Sequence, residues 1–134
     1  MRTQEVDIAT HKATLQALHT LTFPHDEQPQ WLPNGRAWIT YDQGEAVAFL
    51  YASPQLDGSW YFARVGVLSG YRGRGLQRKL MQRMEKALRG NVLVSTTLDN
   101  PASANNFIRQ RWLTYLPAAP WGAPGTVYWY KEVP

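Results

Sequence analysis

The stretch Ser69–Leu88, SGYRGRGLQRKLMQRMEKAL, constrains this chain more than any other. From Gly70 to Leu76 it sets three glycines and two arginines in a row of seven residues. Leu76, Leu80, Met84 and Leu88 then recur at helical spacing, with Arg78, Gln82, Arg83, Glu85, Lys86 and Arg89 filling the other positions. The pattern predicts an amphipathic helix from about Arg74 to Arg89, stopped by Gly90. A flexible cationic turn therefore abuts a helix N-terminus. Such an end has unpaired N–H groups and partial positive charge, and glycines ahead of it let an anion come close to the backbone. Arg72, Arg74 and Arg78 add to that charge. A phosphate or diphosphate is the ligand class this suits. The same residues also suit a plain strand-to-helix turn beside a solvated basic face, and the turn by itself leaves both readings open. It is not a P-loop, since no Gly-Lys-Ser/Thr follows. It is not the dinucleotide fingerprint either, since Arg78 stands where a third glycine belongs.

The rest of the chain supplies the frame. TQEVDIA reads as a short strand, and THKATLQALHTL as a helix with Thr10 as N-cap and Leu15, Leu18 and Leu21 inward. TFPHDEQPQWLPNG, broken by three prolines, reads as an irregular connection. RAWITYD and EAVAFLYAS form a hairpin around Gln43-Gly44. WYFARVGVL is a third β-segment, with Tyr61, Ala63, Val65 and Val67 expected on one face and Gly66 marking a bulge or a close backbone approach. NVLVSTTL is a strand, DNPASANNFIRQRW opens a helix behind a cap at Asp99 or Asn100, and WLTYL and TVYWYKEV are final strands. The order β-α-β-β-β-α-β-α-β-β predicts one α/β (α+β) domain over residues 1–134. Its sheet should be single, mixed and mostly antiparallel, with one parallel crossover and flanking helices.

Composition narrows the function. The 134 residues include six Trp, seven Tyr and four Phe, enough to fill a core. The absence of cysteine excludes disulfides, thiolate zinc sites and a thiol nucleophile, and three histidines at no ligand spacing suggest no metal. No membrane span or secretory core is read in the sequence, so a cytoplasmic setting is expected. A net charge of +4 fits many anionic ligands. Residues Arg64–Arg89 hold eight of the fourteen Lys and Arg. No aromatics interleave with them on the helix, which argues against nucleic acid.

The segment VGVLSGYRGRGLQRKLM resembles the acetyl-CoA-binding segment of the GNAT acetyltransferase superfamily, in which an apolar strand leads to Arg/Gln-x-x-Gly-x-Gly/Ala and a long helix. The matching residues are Arg72-Gly73-Arg74-Gly75-Leu76-Gln77, with Gln77 in place of the last glycine or alanine. NPASANNFIRQRW resembles that superfamily's Asn-x-x-Ser…Tyr…Gly-Phe segment: Asn100 and Ser103 match, Phe107 takes the tyrosine position, and Arg111-Trp112 replaces Gly-Phe.

The resemblance implies a GNAT-like fold and a role for each matched residue. The strand at Arg64–Leu68 would splay from its parallel neighbour, and Val65, Gly66 and Val67 would present main chain to the pantetheine arm of acetyl-CoA. The Val65 N–H would serve as oxyanion donor. The amides of Gly73, Arg74, Gly75, Leu76, Gln77 and Arg78 would hold the diphosphate, with Arg72 adding positive charge. Asn100 would contact the pantetheine, unless it is simply a helix cap, and Phe107 would line the sulfur end. The acceptor implied is the primary amine of a small molecule or peptide, and a homodimer is possible by analogy.

The chain departs from the family where acid–base groups usually stand. Phe107 has no proton to give a thiolate, and Ser95, at the position of a frequent glutamate, is a poor base. Water held by Ser95 and Thr97, the loop residues His25, Asp26 and Glu27, and Tyr115 are the remaining candidates, each with a plainer structural explanation. Trp31 and Trp121 are candidate walls of the acceptor pocket. Two functions follow: an N-acetyltransferase, or an acyl-CoA-binding module that has lost chemistry and acts as sensor or interaction domain.

Overall fold

Turn residues and β-branched runs divide the chain as expected. In the computed structural model, which describes all residues from Met1 to Pro134, the elements are β1 (Arg2–Val6), α1 (Ile8–Thr22), β2 (Arg36–Asp42), β3 (Glu45–Pro54), β4 (Trp60–Val67), a 3-10 turn (Ser69–Tyr71), α2 (Leu76–Ala87), β5 (Val92–Thr97), α3 (Pro101–Arg109), β6 (Leu113–Tyr115) and β7 (Val127–Glu132). One seven-stranded sheet runs β1-β2-β3-β4-β5-β7-β6. Every neighbouring pair is antiparallel except β4 and β5. That exception is forced by the α2 crossover between them.

Two cores form, one on each face. Leu76, Leu80, Met81, Met84 and Leu88 of α2 and Phe107 of α3 pack on Trp38, Leu50, Phe62, Leu93 and Trp129. Leu15 and Leu18 of α1 pack on Ala37, Ile39, Phe49 and Tyr51 across the sheet. The apolar stripe read along Leu76–Leu88 is thus buried throughout.

Four local expectations are corrected. The cap of α1 is Asp7, whose carboxylate accepts from Thr10 N at 2.9 Å and Thr10 Oγ1 at 2.6 Å, so the helix starts at Ile8 and Thr10 sits inside it. Leu21 is 67% exposed; His19 takes the inward position instead, one turn after Leu15. Glu85, expected on the solvated face of α2, is buried and accepts from Trp112 Nε1 at 3.2 Å and from Lys131 Nζ, tying α2 to the end of α3 and to β7. The β3–β4 register slips where Tyr51 pairs with Arg64 and Ala52 with Phe62, leaving Ala63 unpaired. That bulge inverts the alternation. Phe62, Val65 and Val67 share the α2 face, and Ala63 packs with the α1 core.

Candidate functional site

The gap between β4 and β5 follows from how short their ladder is. Only Trp60–Leu93 and Tyr61–Val94 are paired, after which the strands part. Ser95 Oγ donates to Phe62 O at 2.8 Å at the apex of the gap. The phase of the β3–β4 ladder decides what lines it. Leu68 N donates to Val47 O at 2.9 Å, and Val67 lies opposite Ala48. Val67, and Val65 two residues earlier, therefore occupy non-hydrogen-bonded pairs, whose N–H and C=O groups point away from β3 and into the gap. Arg72 Nε donates to the Val67 carbonyl at 3.2 Å.

Gly66 marks a close approach to its backbone rather than a bulge. A Cβ there would come within 2.5 Å of Thr22 Oγ1 and 2.6 Å of Phe49 Cε1, so glycine admits the C-terminus of α1 and a neighbouring ring to the sheet. The bulge lies at Ala63 instead.

Beyond β4 the chain turns into α2 through Gly73 and Gly75, both with left-handed φ, at 79° and 76°. Gly75 is the N-cap of α2, which begins at Leu76 rather than near Arg74, because a left-handed residue ends the turn. From Gly73 to Arg78 no main-chain N–H donates to a protein acceptor; the first that does is Lys79 N, to Gly75 O at 3.1 Å. A Cβ at Gly73 or Gly75 would meet nothing within 4 Å. The cradle is open and its amides are free. Three contacts hold its shape: Tyr71 OH donates to Asp42 Oδ2 at 2.7 Å, Arg74 lies 4.9 Å over the Tyr71 ring, and Arg74 Nη2 donates to Gly70 O. The Arg78 Nε is buried without a partner. Gln77 points across to α3, donating to Ser103 Oγ at 3.2 Å.

The other expected site residues divide into those near the gap and those outside it. Asn100 caps α3, accepting from Ser103 N at 3.1 Å, and is itself exposed. Phe107 is 1% exposed and stacks on Trp129 at 5.3 Å, with Phe62 at 5.4 Å. It forms the core beneath the apex of the gap rather than an open wall. Ser95 is buried and donates to Phe62 O, and Thr97 Oγ1 accepts from Trp129 Nε1 at 2.9 Å, so both hydroxyls are anchored in the protein interior. Tyr115 lies on the edge strand β6, three strand spacings (about 14 Å) from β4. Burial first, then the Asp57 carboxylate, raises its pKa. Trp31 is buried against Tyr51 and Phe49 under α1 and walls no pocket. His25, Asp26 and Glu27 are exposed, and Asp26 pairs with Arg64 at 3.7 Å.

Tyr61 is the residue that sequence reasoning passed over. It is the last β4 residue paired with β5, and its hydroxyl lies 3.1 Å from Thr96 Oγ1. The bulge at Ala63 hid it, because unbroken alternation put it on the wrong face with Val65.

A parallel strand pair thus opens beyond its second rung, with a helix N-terminus and free glycine amides beside it. The model of the acetyltransferase (GNAT) family matches residues 8–110, and the chain belongs to that family. No curated protein sequence matches it. Solved structures share its fold at low identity. An aminoglycoside 6'-acetyltransferase type Ii is 23% identical with a TM-score of 0.78, over 98% of this chain and 97% of that one. The IAA acetyltransferase from Bacillus cereus ATCC 14579 is 12% identical with a TM-score of 0.77, over 98% and 99%. An aminoglycoside 6'-N-acetyltransferase complexed with coenzyme A is 19% identical with a TM-score of 0.70, over 98% and 96%. No helix of the chain is long and apolar enough to cross a membrane.

Proposed function

We propose that the protein transfers the acetyl group of acetyl-CoA to a primary amine. The observation that carries this reading is the row of unpartnered amides from Gly73 to Arg78, continuous with the outward main-chain groups of Val65 and Val67. Those residues fit a diphosphate followed by an extended amide-bearing arm: free donors and a positive helix end for the first, and for the second a strand edge that β5 leaves open, its Val67 carbonyl held by Arg72. Bound acetyl-CoA would supply the acetyl group already activated as a thioester.

The chain's own contribution is positional. The amides of Gly73, Gly75, Leu76, Gln77 and Arg78 hold the diphosphate, helped by the Arg72 and Arg74 guanidiniums. Asn100, whose Oδ1 caps α3, would contact the arm through its Nδ2. The Val65 N–H, directed into the gap, would donate to the thioester carbonyl oxygen, where negative charge grows as the amine nitrogen bonds to the acetyl carbon. The carbon–sulfur bond then breaks, one proton leaves the amine for solvent, and the departing thiolate takes one from solvent. Phe107, Trp129 and Phe62 keep the apex dry and rigid. No side chain at the gap serves as base, so orientation and the oxyanion donor supply the rate.

The second reading, an acyl-CoA-binding module without chemistry, is favoured by one observation: Ser95 and Phe107, at the usual acid–base positions, are both committed to the interior. Thiol release from acetyl-CoA over a panel of amines tests the two. Release with any amine supports transfer. A melting-temperature rise with acetyl-CoA but silence on every amine supports the module.

A further inference from the structure

We infer that the acceptor is a primary amine carrying an aryl or similarly flat apolar body, held on Tyr61, Tyr115, Trp121 and Tyr128 on the sheet face opposite α2. The inference rests on the acyl-transfer reading and adds the acceptor's class to it.

Helices α2 and α3 occupy one face of the sheet, and α1 covers the other only over β1 to β4. On that second face, the half made by β5, β7 and β6 is lined by side chains in register. Thr96 lies opposite Tyr128, and Tyr128 opposite Tyr115. Residues directly opposite in antiparallel strands share a face. Tyr61 joins the row through its hydroxyl contact with Thr96. The row therefore begins at the last rung before the gap and runs outward from it.

Trp121 stands over this row. Its ring meets Tyr61 edge-on at 6.0 Å and Tyr128 at 5.5 Å, and Gly122 N donates to Tyr128 OH at 2.8 Å, which pins the loop that carries it. Yet Trp121 is 63% exposed. A ring fixed in orientation and still largely free has a face and an edge left for another ring. Charge agrees with an amine: the Asp57 carboxylate lies near enough to Tyr115 to affect its phenol, and tyrosine and tryptophan faces attract cations. A polycation would need several carboxylates, whereas Asp26 is tied to Arg64 and the Asp57 carboxylate already accepts from Ser59 N and Ser59 Oγ. A ring seated against Trp121 would reach past Tyr61 into the gap with a short amine-bearing tail, from the side away from the amide cradle.

Steady-state thiol release with 2-phenylethylamine, spermidine and an aminosugar such as neamine tests this. We expect kcat/KM for 2-phenylethylamine to exceed the other two about tenfold, and Trp121→Ala to shrink that preference to within about threefold while the melting-temperature rise with acetyl-CoA is kept. Spermidine or neamine matching or exceeding 2-phenylethylamine overturns the inference and leaves acyl transfer standing. Titration of the protein with 2-phenylethylamine, read at the Trp121 indole N–H by NMR, scores the aromatic surface without turnover. A saturable shift supports it, and no shift at ~10 mM amine overturns it. Should no amine release thiol, acyl transfer falls and this titration alone decides the aromatic surface.

Discussion

The Ser95 hydroxyl donates to the Phe62 carbonyl at 2.8 Å across the mouth of the gap, one residue beyond the last β4–β5 rung at Tyr61–Val94. This bond fixes where the strands part. Ser95→Ala should therefore cost about 1–2 kcal/mol of stability by orphaning a buried carbonyl. Loss of a general base costs 10²–10⁴ in rate, so a fall in kcat of less than about tenfold separates a clamp from a base. Urea unfolding and thiol release on the same variant check both halves.

Gly75 has φ of 76° and open space where a Cβ would stand. Gly75→Arg should fold, with about 1–2 kcal/mol of backbone strain, and push a long side chain into the amide cradle. We expect acetyl-CoA to raise the melting temperature of the parent and not of the variant. A retained shift in Gly75→Arg would place the coenzyme elsewhere.

Gly66→Ala should destabilise by about 1–3 kcal/mol, because its Cβ would overlap Thr22 and Phe49. Pairing it with Thr22→Ala removes the 2.5 Å overlap with Oγ1, leaves Phe49 Cε1 at 2.6 Å and the residue 22 Cβ at 2.9 Å, and should restore part of the loss. Denaturant midpoints of the single and double variants test this.

His19 is fully buried among Phe23, Trp31 and Phe49, and neither ring nitrogen has a hydrogen-bond partner. Burial lowers its pKa first and the Arg64 charge second, with Asp26 opposing. In the unfolded chain the ring takes up a proton near pH ~6.5, and in the folded chain only at lower pH. Its stabilising effect is thus complete above pH ~6.5 and is lost as pH falls from there toward the depressed folded value. Melting temperature should drop over that window, and His19→Phe should flatten the drop. An unchanged slope in the variant would point to other groups.

On the proposed mechanism, in which no side chain acts as base, the neutral amine comes from solution. A lysine-like amine is neutral in only about one molecule in 10³ at pH 7, a weakly basic one near pKa ~8 in about a tenth. We expect log kcat/KM to rise with pH until each acceptor's own pKa. A plateau at one pH for amines of different pKa would reveal an enzyme base.

Much of this was legible in the chain. Prolines, glycines and β-branched runs marked the elements in order, and the Leu76–Leu88 stripe marked the buried face of α2. The cradle was legible because its chemistry is main-chain and glycine positions reveal it. What escaped depended on tertiary packing. The Ala63 bulge inverts alternation halfway along β4, and no local residue preference announces it. Asp7 and Thr10 both suit a cap, and their mutual hydrogen bonds chose Asp7. Trp31 and Trp121 looked equivalent, but the first lies under α1 and the second stands free over Tyr61.

Amide hydrogen exchange, residue by residue, with and without CoA tests the central claim most directly. We expect Gly73 to Arg78, unpartnered in the protein itself, to gain protection on binding, together with Val65 and Val67. Unchanged exchange at those amides, or protection confined to another surface, would contradict it.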